Sequence, residues 1–252
     1  MASPTRSEIA SKLRGEDLDE WLRLWRAEQG PAKPASIELM AAVIPYLDSK
    51  RLKVLDLCCG PGDVGRAIHT RFPNSRVDCV DRDLFLTSLC SSVNHREGVP
   101  GRTLVRDLWK PNWCRGLAGN YDVVATANAL HWFSKERVAQ LLLDVLGLLR
   151  SGGSFMFLEP AGPDAAFAHR FGRWKATQPS QHSRDDWLRF WTRVNAFLGY
   201  DYIKRLGKRA PNRIDDQLSV MGWIDLLKGA GFQSIDVLLR DPEKVVIAAL
   251  KP

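Results

Sequence analysis

The chain has no apolar stretch long enough to cross a bilayer as a helix, because charged residues break every such run early. Residues 1–17 lack the apolar segment of a secretory leader, so the expected setting is the cytoplasm. Cysteine is scarce and irregular: there are five, with Cys58 and Cys59 adjacent. That pattern suits neither a disulfide framework nor a closed zinc site, so buried free thiols and no metal are expected. Acid is in short supply too, 29 Asp and Glu facing 36 Lys and Arg for a net charge of +7. Excess base favours an anionic partner but leaves the fold open. Internal repeats and low-complexity tracts are missing, which sets aside solenoids and disordered tails.

What the sequence does have is enough apolar content, 45% of 252 residues, to build a sizeable core. Leu18, Trp21, Leu22 and Trp25 recur at the spacing of one helical face, predicting an amphipathic helix over residues 7–29. A second helix is expected to start near Ser36 as its cap, with the segment from Gly30 to Pro34 separating the two. From Lys53 onward, short apolar runs alternate with helical patterns: KVLDL, 63–72, RVDCVD, 83–93, RTLVRD, YDVVATAN, 135–149 and, after a turn at residues 151–153, SFMFLEP. Such alternation marks a parallel sheet with crossover helices. Near the end, a helix over 219–230 stops at Gly231, and QSIDVLLR and KVVIAALK follow with three residues between them. So short a link joins only antiparallel neighbours. The expected fold is therefore α/β: a mostly parallel, seven-stranded, doubly wound Rossmann-like sheet with a reversed final strand.

Residues 161–218 fit no βαβ unit. Between 166 and 213 there are eleven lysines or arginines against three aspartates, and the segment also holds Trp174, Trp187, Trp191, Tyr200 and Tyr202. The expected organisation is a single domain, with an N-terminal helical cap (1–50), a cofactor-binding core (51–160 and 219–252) and a helical substrate lid (161–218).

The most informative stretch is VLDLCCGPGDVG, residues 54–65, a strand running through a glycine-rich turn into a helix. Gly60, Gly62 and Gly65 match G-x-G-x-x-G, and Asp81 follows about twenty residues later, at the end of the second strand, where ribose hydroxyls are bound. Spacing alone leaves a dinucleotide open. Charge argues against it, since Asp56 and Asp63 flank the loop and a carboxylate about 4 Å from a phosphate costs about 4 kcal/mol at an effective dielectric near 20. A ligand carrying an ammonium and a sulfonium gains from the same acids.

These residues resemble motif I of class I S-adenosylmethionine-dependent methyltransferases, usually an acid followed by x-G-x-G-x-G. This chain differs mildly, with Cys58 at the first small position and Asp63 before Val64. The resemblance covers roughly residues 35–160 and 219–252, and the reversed last strand belongs to it. It implies that Asp56, Gly60 and Gly62 hold the methionine end of the cofactor and that Asp81 takes the ribose hydroxyls. Arg82 or Asp83 would flank the adenine, which Asp107, Leu108 and Trp109 would enclose. The segment Ala129-Leu130-His131-Trp132 resembles that of small-molecule methyltransferases of the trans-aconitate type. It implies that Asn128 lines the methionine end and that His131 and Trp132 face the transferring methyl, His131 as a candidate base. Glu159, Trp174 and Trp191 are the remaining candidates for substrate contact, with His169, His182, Tyr200 and Tyr202 ranked below them.

The expected activity is methyl transfer to an O, N or C atom of a small anionic metabolite. Two alternatives stay open: a methyltransferase whose basic insertion binds RNA or protein, and a non-catalytic cofactor-binding regulator. Nucleic acid ranks second as a partner because no RNA-binding module is visible. A hydride-transferring enzyme ranks last, lacking a second constellation of catalytic residues.

Overall fold

The computed structural model of the chain describes residues 4–29, 32–44, 51–163, 184–205, 218–241 and 243–252, with isolated positions between 167 and 177. Seven strands form one sheet: β1 (Lys53–Leu57), β2 (Arg76–Asp81), β3 (Thr103–Val105), β4 (Tyr121–Ala127), β5 (Leu149–Pro160), β6 (Gln233–Arg240) and β7 (Lys244–Leu250). Their order is β3-β2-β1-β4-β5-β7-β6. All run parallel except β7, which is antiparallel to both β5 and β6. The predicted sheet and its reversed final strand are thus present.

The helices are α1 (Arg6–Leu13), α2 (Leu18–Gln29), α3 (Ala32–Val43), α4 (Asp63–Arg71), α5 (Leu84–Arg96), α6 (Lys135–Leu148), α7 (Arg184–Leu198), α8 (Tyr202–Arg205) and α9 (Val220–Ala230). None is long and apolar enough to cross a membrane. Alternation along the strands sends side chains to opposite faces. Leu55, Leu57 and Val124 pack under α6 and α9 with Leu141, Val145 and Trp223, while Val54, Val77 and Val123 pack under α3 and α4 with Met40 and Ile68. A third cluster lies beyond the second layer. It joins α1 and α2 (Ile9, Trp21) to α5 (Phe85, Leu89) and α7 (Phe190, Val194).

Three local expectations are corrected. The single helix over 7–29 is two helices, because Gly15 falls at the break and the Asp17 carboxylate accepts from the backbone N–H groups of Asp19 and Glu20, starting α2 afresh. Ser36 does not cap α3. The helix begins at Ala32, and Pro34 sits in its first turn, where a missing N–H costs nothing. Residues 151–153 are not a turn outside the sheet: β5 starts at Leu149, opposite Tyr121, and the next pair is Val123 with Ser154, so the glycines bulge within the strand.

Candidate functional site

The strand order reverses between β1 and β4, and open α/β sheets bind ligands at the carboxyl ends of the strands around such a point. A cavity of about 370 Å³ opens there. Two non-glycine residues with positive φ mark its floor, Cys58 (49°) after β1 and Asn128 (55°) after β4. Strained backbone of this kind concentrates at functional sites.

The glycine turn between β1 and α4 forms one wall. Gly62 has φ 88°, and a Cβ there would stand 2.7 Å from Cys90 Sγ. At Gly65 a Cβ would meet Val77 Cγ1 at 2.6 Å and Asp56 Oδ2 at 3.1 Å, so only glycine lets α4 settle onto β1 and β2. The Asp56 side chain is fully buried at the cavity's edge. Its Oδ2 accepts from Gly65 N–H at 2.8 Å, whereas Oδ1 has no hydrogen-bond partner among the described residues. Burial pushes its carboxyl up to about 8, against the single backbone bond that favours the charge. A buried acid with an unpartnered oxygen, on a residue that lines a cavity, suits a cationic or hydrogen-donating ligand.

Asp81 closes β2. Its Oδ2 accepts from Gly60 N–H and its Oδ1 from Asp83 N–H, both at 2.9 Å, and burial raises its pKa. Asp83 caps α5 through Leu86 N–H and accepts the Tyr202 hydroxyl at 3.0 Å, with its pKa raised to about 7 by burial and by Asp81. The Asp107 side chain accepts from Trp109 N–H, starting the turn after β3 while lining the cavity. Asp63 has its charge taken up by Arg26 at 2.9 Å and Arg66 at 2.7 Å.

Of the residues singled out by sequence, Asp56, Gly60, Asp81, Arg82, Asp107 and Leu108 border this cavity, and so do Asn128, Trp132 and Trp191. Gly62, His131 and Glu159 are not among its lining. Glu159, on β5, is fully buried and accepts from Ala129 and Leu130 N–H, each at 2.7 Å, and from His131 Nδ1 at 2.7 Å. It holds the turn that carries Trp132, which is 38% exposed. Trp174, His169 and His182 lie outside the described residues. Trp191 is both wall and core: it packs edge-on against Phe190 and stacks on Tyr202. Sequence reasoning missed Trp25 and Lys33, which reach the cavity from α2 and α3. Trp25 already stood on an apolar helical stripe, the signature of packing, so only the close approach of its ring to Gly60 reveals its second role.

Comparison with known proteins agrees with this architecture. Residues 54–153 match a family model described as a methyltransferase domain. Over 119 residues, 47% of this chain and 41% of the other, the sequence is 33% identical to a trans-aconitate 2-methyltransferase of Mycolicibacterium gilvum (strain PYR-GCK). The chain thus spans less than half the length of that relative. Among solved structures, the S-adenosylmethionine-dependent methyltransferase SibL superposes with a TM-score of 0.57 at 17% identity, covering 86% of this chain and 55% of that one. Human N-acetylserotonin methyltransferase, solved with S-adenosylmethionine, gives 0.51 at 14% identity over 83% and 50%. At these identities the likeness is one of fold.

Proposed function

Taking residues 54–153 as what sequence and fold make them, a class I Rossmann-like methyltransferase domain, we propose that the chain moves a methyl group from S-adenosylmethionine to a small anionic molecule. When bound, that cofactor supplies an electrophilic methyl on a sulfonium. The observation that carries the reading is Asp56: a buried carboxyl with an Oδ1 unpartnered among the described residues, on a residue that lines the cavity beside the glycine turn. Asp56 and the turn at Gly60 and Gly62 hold the amino-acid end, with Asn128 across from them. Asp81 takes the ribose hydroxyls, and Arg82, Asp107 and Leu108 enclose the adenine.

Methyl displacement asks the protein mainly for alignment and exclusion of water, and orientation alone is worth roughly 7 to 11 kcal/mol in favourable cases. The aromatic walls serve this purpose: Trp132 from the turn after β4, Trp187 and Trp191 from the insertion, and Trp25 from the N-terminal helices. In this reading residues 1–50 act as a cap and 161–218 as a substrate lid, with Trp191 on the substrate side. Lys33, Arg82 and Arg106 border the same space and support an anionic acceptor. Glu159 accepts a hydrogen bond from the Nδ1–H of His131, a tautomer that leaves the imidazole lone pair on Nε2, where a base would need it.

Calorimetric titration with S-adenosylmethionine, S-adenosylhomocysteine and NAD tests this on the wild type and on Asp81→Asn. Binding of the first two, weakened at least about tenfold in the variant, is expected. Binding of NAD alone, or of none of the three, overturns it.

A further inference from the structure

Behind the glycine turn, three cysteines from three different elements come together. Cys59 belongs to the turn, Cys79 to β2 and Cys90 to α5. All are buried, and their Sγ atoms lie within 4.8 Å of one another. We propose that this triad is a binding site for a soft, thiophilic d10 cation, held by three sulfurs directly beneath the turn.

The ordinary alternative is that three small apolar side chains fill a core. Cys59 Sγ donates to the Gly60 carbonyl at 3.3 Å, as a neutral thiol does, but the neighbour on the far side of the cluster suits thiolates. The Asn94 amide is buried there, with Nδ2 3.6 Å from both Cys79 Sγ and Cys90 Sγ, so its N–H groups are directed at sulfur. Its Oδ1 has no hydrogen-bond partner among the described residues. An amide placed so is costly against uncharged sulfur and favourable against thiolates, whose ligands outside the metal's own shell are typically N–H donors. Arg66 is buried on the same side, against the Pro61 carbonyl and Asp63, and offsets part of the negative charge that three thiolates leave around a monovalent or divalent ion.

Geometry is close to what is needed. Metal–sulfur bonds of about 2.3 Å put three sulfurs about 4 Å apart, so each Sγ moves by roughly half an ångström at most. A ligand set of sulfur alone, without imidazole or carboxylate, selects soft ions over magnesium, calcium or manganese. On binding, three metal–sulfur bonds form and the thiol protons leave to solvent. Cys59 borders the cavity and gives the ion a route in. Linear spacing hides the site: no two of the three cysteines lie closer than 11 positions apart in the chain.

The test uses the full chain, reduced and stripped of metal, titrated with Cd(II) while the ultraviolet thiolate-to-cadmium band is followed. One cadmium per chain is expected. Cys59→Ser, Cys79→Ser and Cys90→Ser should each weaken it more than about tenfold, and Cys114→Ser should leave it unchanged. Alanine at the same three positions, with thermal melts, covers any serine variant that fails to fold. No stoichiometric band, or a band that survives in a folded triad variant or disappears with Cys58→Ser or Cys114→Ser instead, overturns the proposal. The outcome does not depend on methyltransferase activity.

Discussion

Replacing Glu159 tests the most heavily bonded side chain near the cavity. Its Oε1 accepts two buried backbone N–H groups, from Ala129 and Leu130, and its Oε2 accepts His131 Nδ1 at 2.7 Å and His131 N–H at 3.3 Å. Glu159→Ala removes both acceptor oxygens and all four hydrogen bonds at once. Two fully buried donors left without partners cost about 1–3 kcal/mol each, so the loss should fall near 3–5 kcal/mol once partial relaxation and the small cavity are included. Glu159→Gln keeps one oxygen for Ala129 and Leu130 but puts an NH2 donor where Oε2 accepted from His131, so it loses the charge assistance and the weak His131 N–H bond while Nδ1 turns acceptor, about 1–2 kcal/mol. Equilibrium urea unfolding of the three proteins measures both numbers. An alanine variant within about 1 kcal/mol of wild type, or a glutamine variant as unstable as the alanine one, would refute the claim that the carboxylate organises residues 129–131.

Two further predictions concern the acids at the ends of β1 and β2. Asp56 has its pKa raised from 3.8 to about 8, so between those values the folded protein retains a proton that the unfolded chain has released. Stability should therefore fall as pH rises through that window, and Asp56→Asn should flatten the fall when melting temperature is followed against pH; an unchanged slope in the variant would sink the assignment. Tyr202 donates to Asp83 Oδ1 at 3.0 Å and accepts from Phe85 N–H at 3.1 Å. Tyr202→Phe leaves that buried N–H without an acceptor and should cost about 1–3 kcal/mol in urea unfolding; a change under about 0.5 kcal/mol would show that the link between α8 and α5 is dispensable.

The sheet was legible because short apolar runs such as KVLDL and RVDCVD alternate with helical patterns, and because a three-residue link forces β6 and β7 to run antiparallel. The acids of the site were legible for a related reason: Asp56 interrupts a buried strand, and Asp81 ends the next one. Helix boundaries near the N-terminus were not, since the break at residues 14–17 depends on one glycine and one capping carboxylate within an otherwise continuous apolar stripe. Glu159 looked like a contact for substrate because it ends a strand at the ligand edge. Whether such a side chain turns into the cavity or back onto a neighbouring turn is decided by unpaired backbone N–H groups that sequence does not display. Trp25, Lys33 and the cysteine triad escaped for a different reason: their meaning arises only when segments far apart in sequence are brought together.

The third hydrophobic cluster ties Trp21 to Phe190 and Glu20 to Arg193 across more than 160 intervening residues. Closing a long loop grows harder only logarithmically, by about 0.6 kcal/mol for each doubling of length. Residues added to or removed from the stretch between β5 and α7 would thus scarcely alter the thermodynamics of docking. What encloses the cavity can be rewritten over evolutionary time while the sheet, and the acids fixed to its strand ends, stay as they are.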